Sequence, residues 1–412
     1  MASCGGRGIF ILAFLVLLFI VMNEVQCQPL PSERRQLANE AIFDVSKFKA
    51  KGDGKTDNSQ ALIRTWLAAC GSGGPAKVLI PRGGNFMSSE VVFTGPCNAT
   101  KPITIEIQGT LSASNDISAY SQQAWIQIER VDGVIVTGGG TIDGLGAAVW
   151  KYSTRSNKGA RLPVSIIFMA VQNTRIFNLK FLNSMGVHLK VTDSRDVDIS
   201  QLTITAPDES PNTDGIHLSS STNVKISSSV IGTGDDCVSI GEGTENILVS
   251  GVTCGPGHGL SIGSLGKRKD ELSLKGITVR DSTLIGTTNG ARIKTYHDSP
   301  TMEASNIIFE NLVMKGVRNP ILIDQHYDSS NRRKQSSVRL SDIHFRNIRG
   351  TTASPIAINI NCSSLVPCLK VELANINLTP FNSSITNITS SCSNANIIPR
   401  GQLIPAAPVR CK

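Results

Sequence analysis

At 412 residues the chain is long enough for two domains by length alone, although all-β solenoids of this size run as one. Forty Lys and Arg against thirty-two Asp and Glu give a formal net charge of +8, which suits an anionic partner such as an acidic polysaccharide, or serves solubility alone. Aromatic residues make up only 5%, and no basic run interleaves with them, which argues against a nucleic-acid groove.

The N-terminus reads as a secretory signal peptide over residues 1–27. Arg7 supplies the positive start, Ile9 to Met22 is an unbroken apolar run, and Val25-Gln26-Cys27 offers the cleavage positions. The run is short for a membrane span, and no second run of spanning length follows. Residues 28–412 are therefore expected to form a single domain, extracellular and not embedded in a membrane. Cleavage removes Arg7 and Glu24 together, so the net charge stays at +8.

Cys4 and Cys27 leave with the signal, and eight cysteines remain. An even number in a secreted chain reads as disulfides. Pairing by proximity gives Cys70–Cys97, Cys237–Cys254, Cys362–Cys368 and Cys392–Cys411, one of 105 connectivities. No CxxC pair supports a zinc site. Asn98, Asn361, Asn377, Asn382 and Asn387 head Asn-x-Ser/Thr sequons and are expected glycosylation positions.

Residues 53–70 read as a cover for one end of a solenoid. Asp57 or Ser59 can cap a helix whose apolar residues, Ala61 and Leu62 through Trp66 to Ala68, fall at helical spacing. Beyond residue 100 helical periodicity gives way to short, alternating, β-branched segments. A loose phrase recurs there, a polar pair followed by an aliphatic residue, at Ile176, Val197, Val224, Ile247, Ile277, Ile307 and Ile343. Its steps of 21, 27, 23, 30, 30 and 36 residues indicate stacked coils with loops of unequal length. One such coil cannot bury its inward aliphatics, whereas stacked coils share a core and pair at ~4.8 Å, so a parallel β-helix is the expected all-β fold. A sandwich or propeller would show more Asn-Gly hairpin signals than the single Asn289-Gly290. The Asn/Ser-rich tail with Cys392 and Cys411 would close the far end.

Four short segments stand out. They are Asn212-Thr213-Asp214, Gly234-Asp235-Asp236-Cys237, Gly257-His258-Gly259 and Arg292-Ile293-Lys294. Asp214, Asp235 and His258 are spaced by about one coil each, so the segments should stack at one longitude. Each alone favours a turn, a solvated corner or an ordinary exposed strand. In register they place three carboxylates together, which raises at least one pKa and lets one group donate a proton while others deprotonate water. That division of labour is what glycoside hydrolysis needs. Arg292 and Lys294 share a strand face, where two cations suit a carboxylate-bearing substrate. Asp235 and Asp236 are neighbours, so both reach one site only if the chain bends between them.

These residues resemble the polygalacturonases, a family of pectin-degrading glycoside hydrolases. The resemblance extends to Gly257-His258-Gly259-Leu260-Ser261-Ile262-Gly263-Ser264, to Gly52-Asp53-Gly54-Lys55-Thr56-Asp57 and to Ile323-Asp324-Gln325-His326-Tyr327, nearly the whole mature chain. It is nearest to the plant pollen-type exopolygalacturonases. The resemblance implies a single-stranded right-handed parallel β-helix. It also implies hydrolysis of α-1,4-galacturonosyl bonds of polygalacturonate with inversion, from the chain end, by a monomer in the cell wall. Asp235 matches the general acid, Asp214 and Asp236 the pair that activates water, and His258 the histidine that supports the acid. Arg292, Lys294, Tyr327 and Asn212 match substrate-binding positions, and neither metal nor other cofactor is implied. The rivals are an endo-acting relative, a calcium-dependent pectate lyase using the clustered aspartates as ligands, and a non-catalytic wall-binding protein.

Overall fold

The computed structural model describes residues 40–121, 124–153, 161–327, 335–408 and 411. The expected signal segment, 1–27, lies outside the described residues.

The recurrent phrase owes its polar pair to backbone geometry. The residue just before the repeated aliphatic lies in the left-handed region: Asp196 at φ 55°, Asn223 at 57°, Asn246 at 56°, Asn306 at 53° and Asp342 at 56°. Few side chains accept that conformation, and Asn and Asp do so at least cost. These side chains also join the coils, with Asn223 Nδ2 donating to Asp196 Oδ1 at 3.0 Å and Asn246 Nδ2 to Asn223 Oδ1 at 3.3 Å.

The aliphatics that follow stack in parallel register. Val197 meets Val224, then Ile247, Ile277, Ile307 and Ile343 follow coil by coil. The first expected step is corrected: Val197 pairs with Thr174, and Ile176 with Ile199. Asn173 is the left-handed residue of that coil, at φ 51°, so the aligned position falls to a threonine that a search for aliphatics passes over. Two residues further along, Ile199, Ile226, Val249, Val279, Phe309 and Phe345 form an unbroken buried ladder. Each such side chain removed from water contributes about 1.5–3 kcal/mol, so every coil needs the next to bury its own share. The result is the right-handed parallel β-helix, with one interior core running its length.

The N-terminal cover is helix α1, Ser59–Cys70, which buries Ala61, Leu62, Thr65, Trp66, Ala69 and Cys70. Trp66 stacks on Phe93 at 5.1 Å and donates Nε1–H to Thr94 O at 3.1 Å. The cap differs from expectation. Asn58 occupies the N-cap position without a capping bond, because its buried side chain is engaged with Lys51, Thr56 and Met87. Asp57, one residue earlier, accepts the Ser59 N–H at 2.8 Å in its place.

All four expected disulfides form: Cys70–Cys97, Cys237–Cys254, Cys362–Cys368 and Cys392–Cys411. The tail continues the stacking, as Thr389–Ser393 and Ala395–Ile404 pair in parallel with the preceding coil. Of the sequon asparagines, Asn98, Asn377, Asn382 and Asn387 are exposed, while Asn361 is half-buried and accepts from Ser393 at 2.8 Å.

The strands that frame the candidate site pair in chain order within a second sheet, of eleven strands among the described residues. They are β1 (Leu189–Thr192), β2 (Ile216–Ser219), β3 (Val238–Ile240), β4 (Leu260–Leu265), β5 (Asn289–Tyr296) and β6 (Asn319–Tyr327).

Candidate active site

Ile216, Val238, Leu260 and Ala291 are register partners across β2 to β5. Two residues before each lie Asp214, Asp236, His258 and Asn289, so the coils align these four. Asp235 sits one place earlier, in a bend between two strands that spans Gly234–Cys237. The bend brings both neighbouring carboxylates to one site, which a regular strand forbids. It is held by backbone bonds from Gly215 N to Asp236 O, Cys237 N to Gly259 O and His258 N to Asp235 O. The Gly-His-Gly segment follows from the same closeness. Gly259 has φ 93°, and a Cβ there would stand 2.1 Å from Asn289 O.

The three aspartates have separate surroundings. Asp236 is fully buried, and its Oδ1 accepts from Ser261 at 2.8 Å and Arg292 at 2.6 Å. Its Oδ2 accepts from Lys294 at 2.7 Å. Burial alone would push this carboxyl up, but Arg292 and Lys294 outweigh it and hold it down at about 2. Asp214 accepts from Ser239 at 2.6 Å and lies in the field of Asp235 and Asp236. Burial first, then those two charges, push it up to about 7. Asp235 Oδ1 accepts from the Asp236 N–H at 2.8 Å and faces His258 Nδ1 at 2.9 Å. Among the described residues no hydrogen bond reaches its Oδ2. The contact with Asp235 raises the His258 pKa in spite of partial burial.

Arg292 and Lys294 do share a face, as expected, yet both are buried and directed at Asp236. Lys294 also lies 5.2 Å from the Tyr327 ring, which packs edge-on against Tyr296 at 5.4 Å. Asn212 is exposed and donates to Ser153 Oγ at 3.4 Å, with no hydrogen bond to the acids among the described residues. Sequence reading missed a second row, three residues beyond the first. His217, Ser239, Ser261 and Arg292 are register partners, and Ser239 and Ser261 are the hydroxyls that hold Asp214 and Asp236. His217 Nδ1 contacts Ser239 Oγ at 2.8 Å and is kept neutral by burial, which lowers its pKa to about 3. The signal was present in the recurrence of a polar residue three places after each aligned acid or histidine.

One oxygen each of Asp235 and Asp236 and a ring nitrogen of His258 lie within 4.8 Å of one another, a spacing a cation could bridge. Both oxygens of Asp236 are already bonded to cationic side chains, so a divalent ion there would face two positive charges at close range. The donor set does not fit a metal.

The raised value at Asp214 has a stability consequence. A folded-state pKa of about 7, above the ordinary 3.8, means the proton stabilises the fold fully below 3.8, and that contribution is lost as pH rises through about 7. Asp214→Asn fixes an uncharged side chain, so its melting temperature should equal that of the unaltered protein near about pH 3 and exceed it increasingly up to about pH 7, staying higher near about pH 8. Parallel melting curves across that range would refute the burial-and-repulsion account of Asp214.

The match to Glycosyl hydrolases family 28 covers residues 70–398. The chain is 43% identical over 390 residues to exopolygalacturonase clone GBGE184 of Arabidopsis thaliana, covering 91% of each. It is 39% identical to an exopolygalacturonase of Zea mays, over 95% of this chain and 96% of that one. Among solved structures, endo-xylogalacturonan hydrolase from Aspergillus tubingensis superposes with a TM-score of 0.74 at 25% identity, over 86% of this chain and all of the other. A hyperthermoactive exopolygalacturonase from Thermotoga maritima shares the fold with a TM-score of 0.71 at 20% identity, covering 88% and 92%. Fold, site and relatives agree, and the chain belongs to the family 28 glycoside hydrolases.

Proposed function

We propose that this enzyme hydrolyses the α-1,4-galacturonosyl bonds of polygalacturonate with inversion, releasing units from the chain end. The observation that carries the reading is the division among the three carboxylates: one pinned in the ionised state, one with raised proton affinity, one with an uncommitted oxygen. Asp235 is the general acid. Its free Oδ2 gives a proton to the glycosidic oxygen as the bond to the anomeric carbon breaks, while His258 and the Asp236 N–H steady Oδ1. Water attacks the same carbon from the other side, and its proton passes to Asp214, the carboxylate with the greater proton affinity. Asp236, held ionised, orients that water. Asp214 acts as the base in its ionised form, which its raised proton affinity confines to pH near or above about 7 until the departing proton is taken up.

Arg292, Lys294 and Tyr327 adjoin Asp236 and would meet a substrate carboxylate as extensions of its cluster. The exopolygalacturonase relatives support action at the chain end. Asn212 fits a bordering role, since its contact with Ser153 places the 144–153 segment beside the turn that carries Asp214. Four disulfides and the apolar N-terminal run support secretion to the cell wall.

A product profile on polygalacturonate tests this reading. Galacturonate monomer should be the first product, chelator should not slow its release, and no ultraviolet-absorbing unsaturated uronide should form. Mixed oligomers at the outset would mean endo action, and an unsaturated product that stops with chelator would mean a lyase.

A further inference from the structure

The row of side chains beside the acids continues past His217. One coil nearer the N-terminus, Lys190 of β1 is its register partner and lies on the same face. Lys190 is half-buried, and among the described residues its ammonium makes no hydrogen bond or ion pair. The surroundings do not neutralise it. Arg161 and Arg268 stand near enough to oppose its charge; Asp193 and Glu242 favour it from a distance, but Asp193 is exposed and makes no bond to it, and Glu242 is bonded to Arg268 at 3.0 Å. Burial is the larger influence, and it too lowers the proton affinity of this lysine. Removing an ammonium from water without a bonded counter-ion is costly. The contrast lies at the other end of the row, where Arg292 and Lys294 are both satisfied by Asp236.

We propose that Lys190, bordered by Arg161, is the anchor of a uronate-binding subsite on the N-terminal side of the acids, taking the carboxylate of a galacturonate unit there. The inference rests on the galacturonan reading given above and deepens it. Along the row Lys190 lies two strand spacings, roughly 10 Å, from Ser239, the residue that holds Asp214, so one or two sugar units span the gap. Cationic groups then flank the acids on both sides, and on the N-terminal side Lys190 has no bonded carboxylate among the described residues. An ammonium that is already partly dehydrated gains a charge-assisted bond on binding without a further large loss of hydration.

The experiment uses Asp235→Asn protein, which should bind without turnover, and titrates it with trigalacturonate and with its methyl ester by calorimetry. Adding Lys190→Met should weaken trigalacturonate binding by about ten- to a hundredfold and leave the methyl ester nearly unaffected. Lys190→Arg should retain most of the preference for the acid form. A Lys190→Met protein that binds both ligands as its parent does, or loses both equally, overturns the subsite. If the parent binds neither ligand, the galacturonan reading itself falls, and the subsite with it.

Discussion

Asp235→Asn is expected to bind polygalacturonate within a few-fold of the unaltered enzyme and to lose about 10²- to 10⁴-fold in turnover. The amide keeps the shape of the carboxyl and can still accept from the Asp236 N–H, so the bend should survive. It cannot deliver a proton from Oδ2 to the departing oxygen. The variant also removes the contact that raises the His258 pKa, so His258 should titrate at lower pH by proton resonance. Near-normal turnover with intact binding would remove Asp235 from the acid role. Loss of binding together with turnover would point instead to collapse of the bend.

Asp236→Ala is expected to be the most damaging single change for stability. Arg292 and Lys294 are 8% and 6% exposed, and both depend on this one carboxylate. Stranding two buried cations costs about 3–5 kcal/mol by the usual measure of a broken buried pair, and the denaturation midpoint should fall accordingly. Asp236→Asn should lie between, since it keeps the acceptor oxygen but not the charge. Adding Lys294→Met to Asp236→Ala should recover part of the loss, because one of the two stranded charges is gone. A double variant no more stable than Asp236→Ala would show that the damage came from the bend rather than from the charges. The pH dependence carries a distinct sign. With a folded-state pKa of about 2, Asp236 stabilises the fold above its ordinary 3.8 and loses that contribution only as pH falls through about 2.

The coil architecture was legible because the fold leaves a repeated physical demand in the sequence. A left-handed residue is needed before the same inward aliphatic on each coil, and Asn or Asp supplies it at Asp196, Asn223, Asn246, Asn306 and Asp342. The demand is met less visibly at Asn173-Thr174, and there the register was misread by two residues. The acids and His258 could be found from their coil spacing, and the adjacent Asp235 and Asp236 foretold the bend. Spacing could not say which neighbour of the pair is aligned. The register aligns Asp214 with Asp236 and His258, while Asp235 stands one place off the row. Nor could it show where Arg292 and Lys294 point. Two cations on one strand face satisfy an internal carboxylate or an external one equally well, and only the bend carries Asp236 to within 2.7 Å of Lys294. Ser239 and Ser261 went unread because serine on a strand is ordinary until its partner is known.

The stereochemical outcome bears most directly on how the three acids act together. The short approach of Asp235 to Asp236, within 4.8 Å, leans toward a retaining pair by separation alone. Asp236 is a poor nucleophile, however, since both its oxygens are bonded to cations and its charge is held at a pKa of about 2. Direct attack by water is left, with Asp214 to take its proton. Proton resonance of the anomeric signals during the first turnovers on trigalacturonate separates the two courses. Inversion at an α-linkage gives β-galacturonate first, with the α-anomer growing in by mutarotation. Initial appearance of the α-anomer would contradict the assigned roles of Asp214 and Asp236.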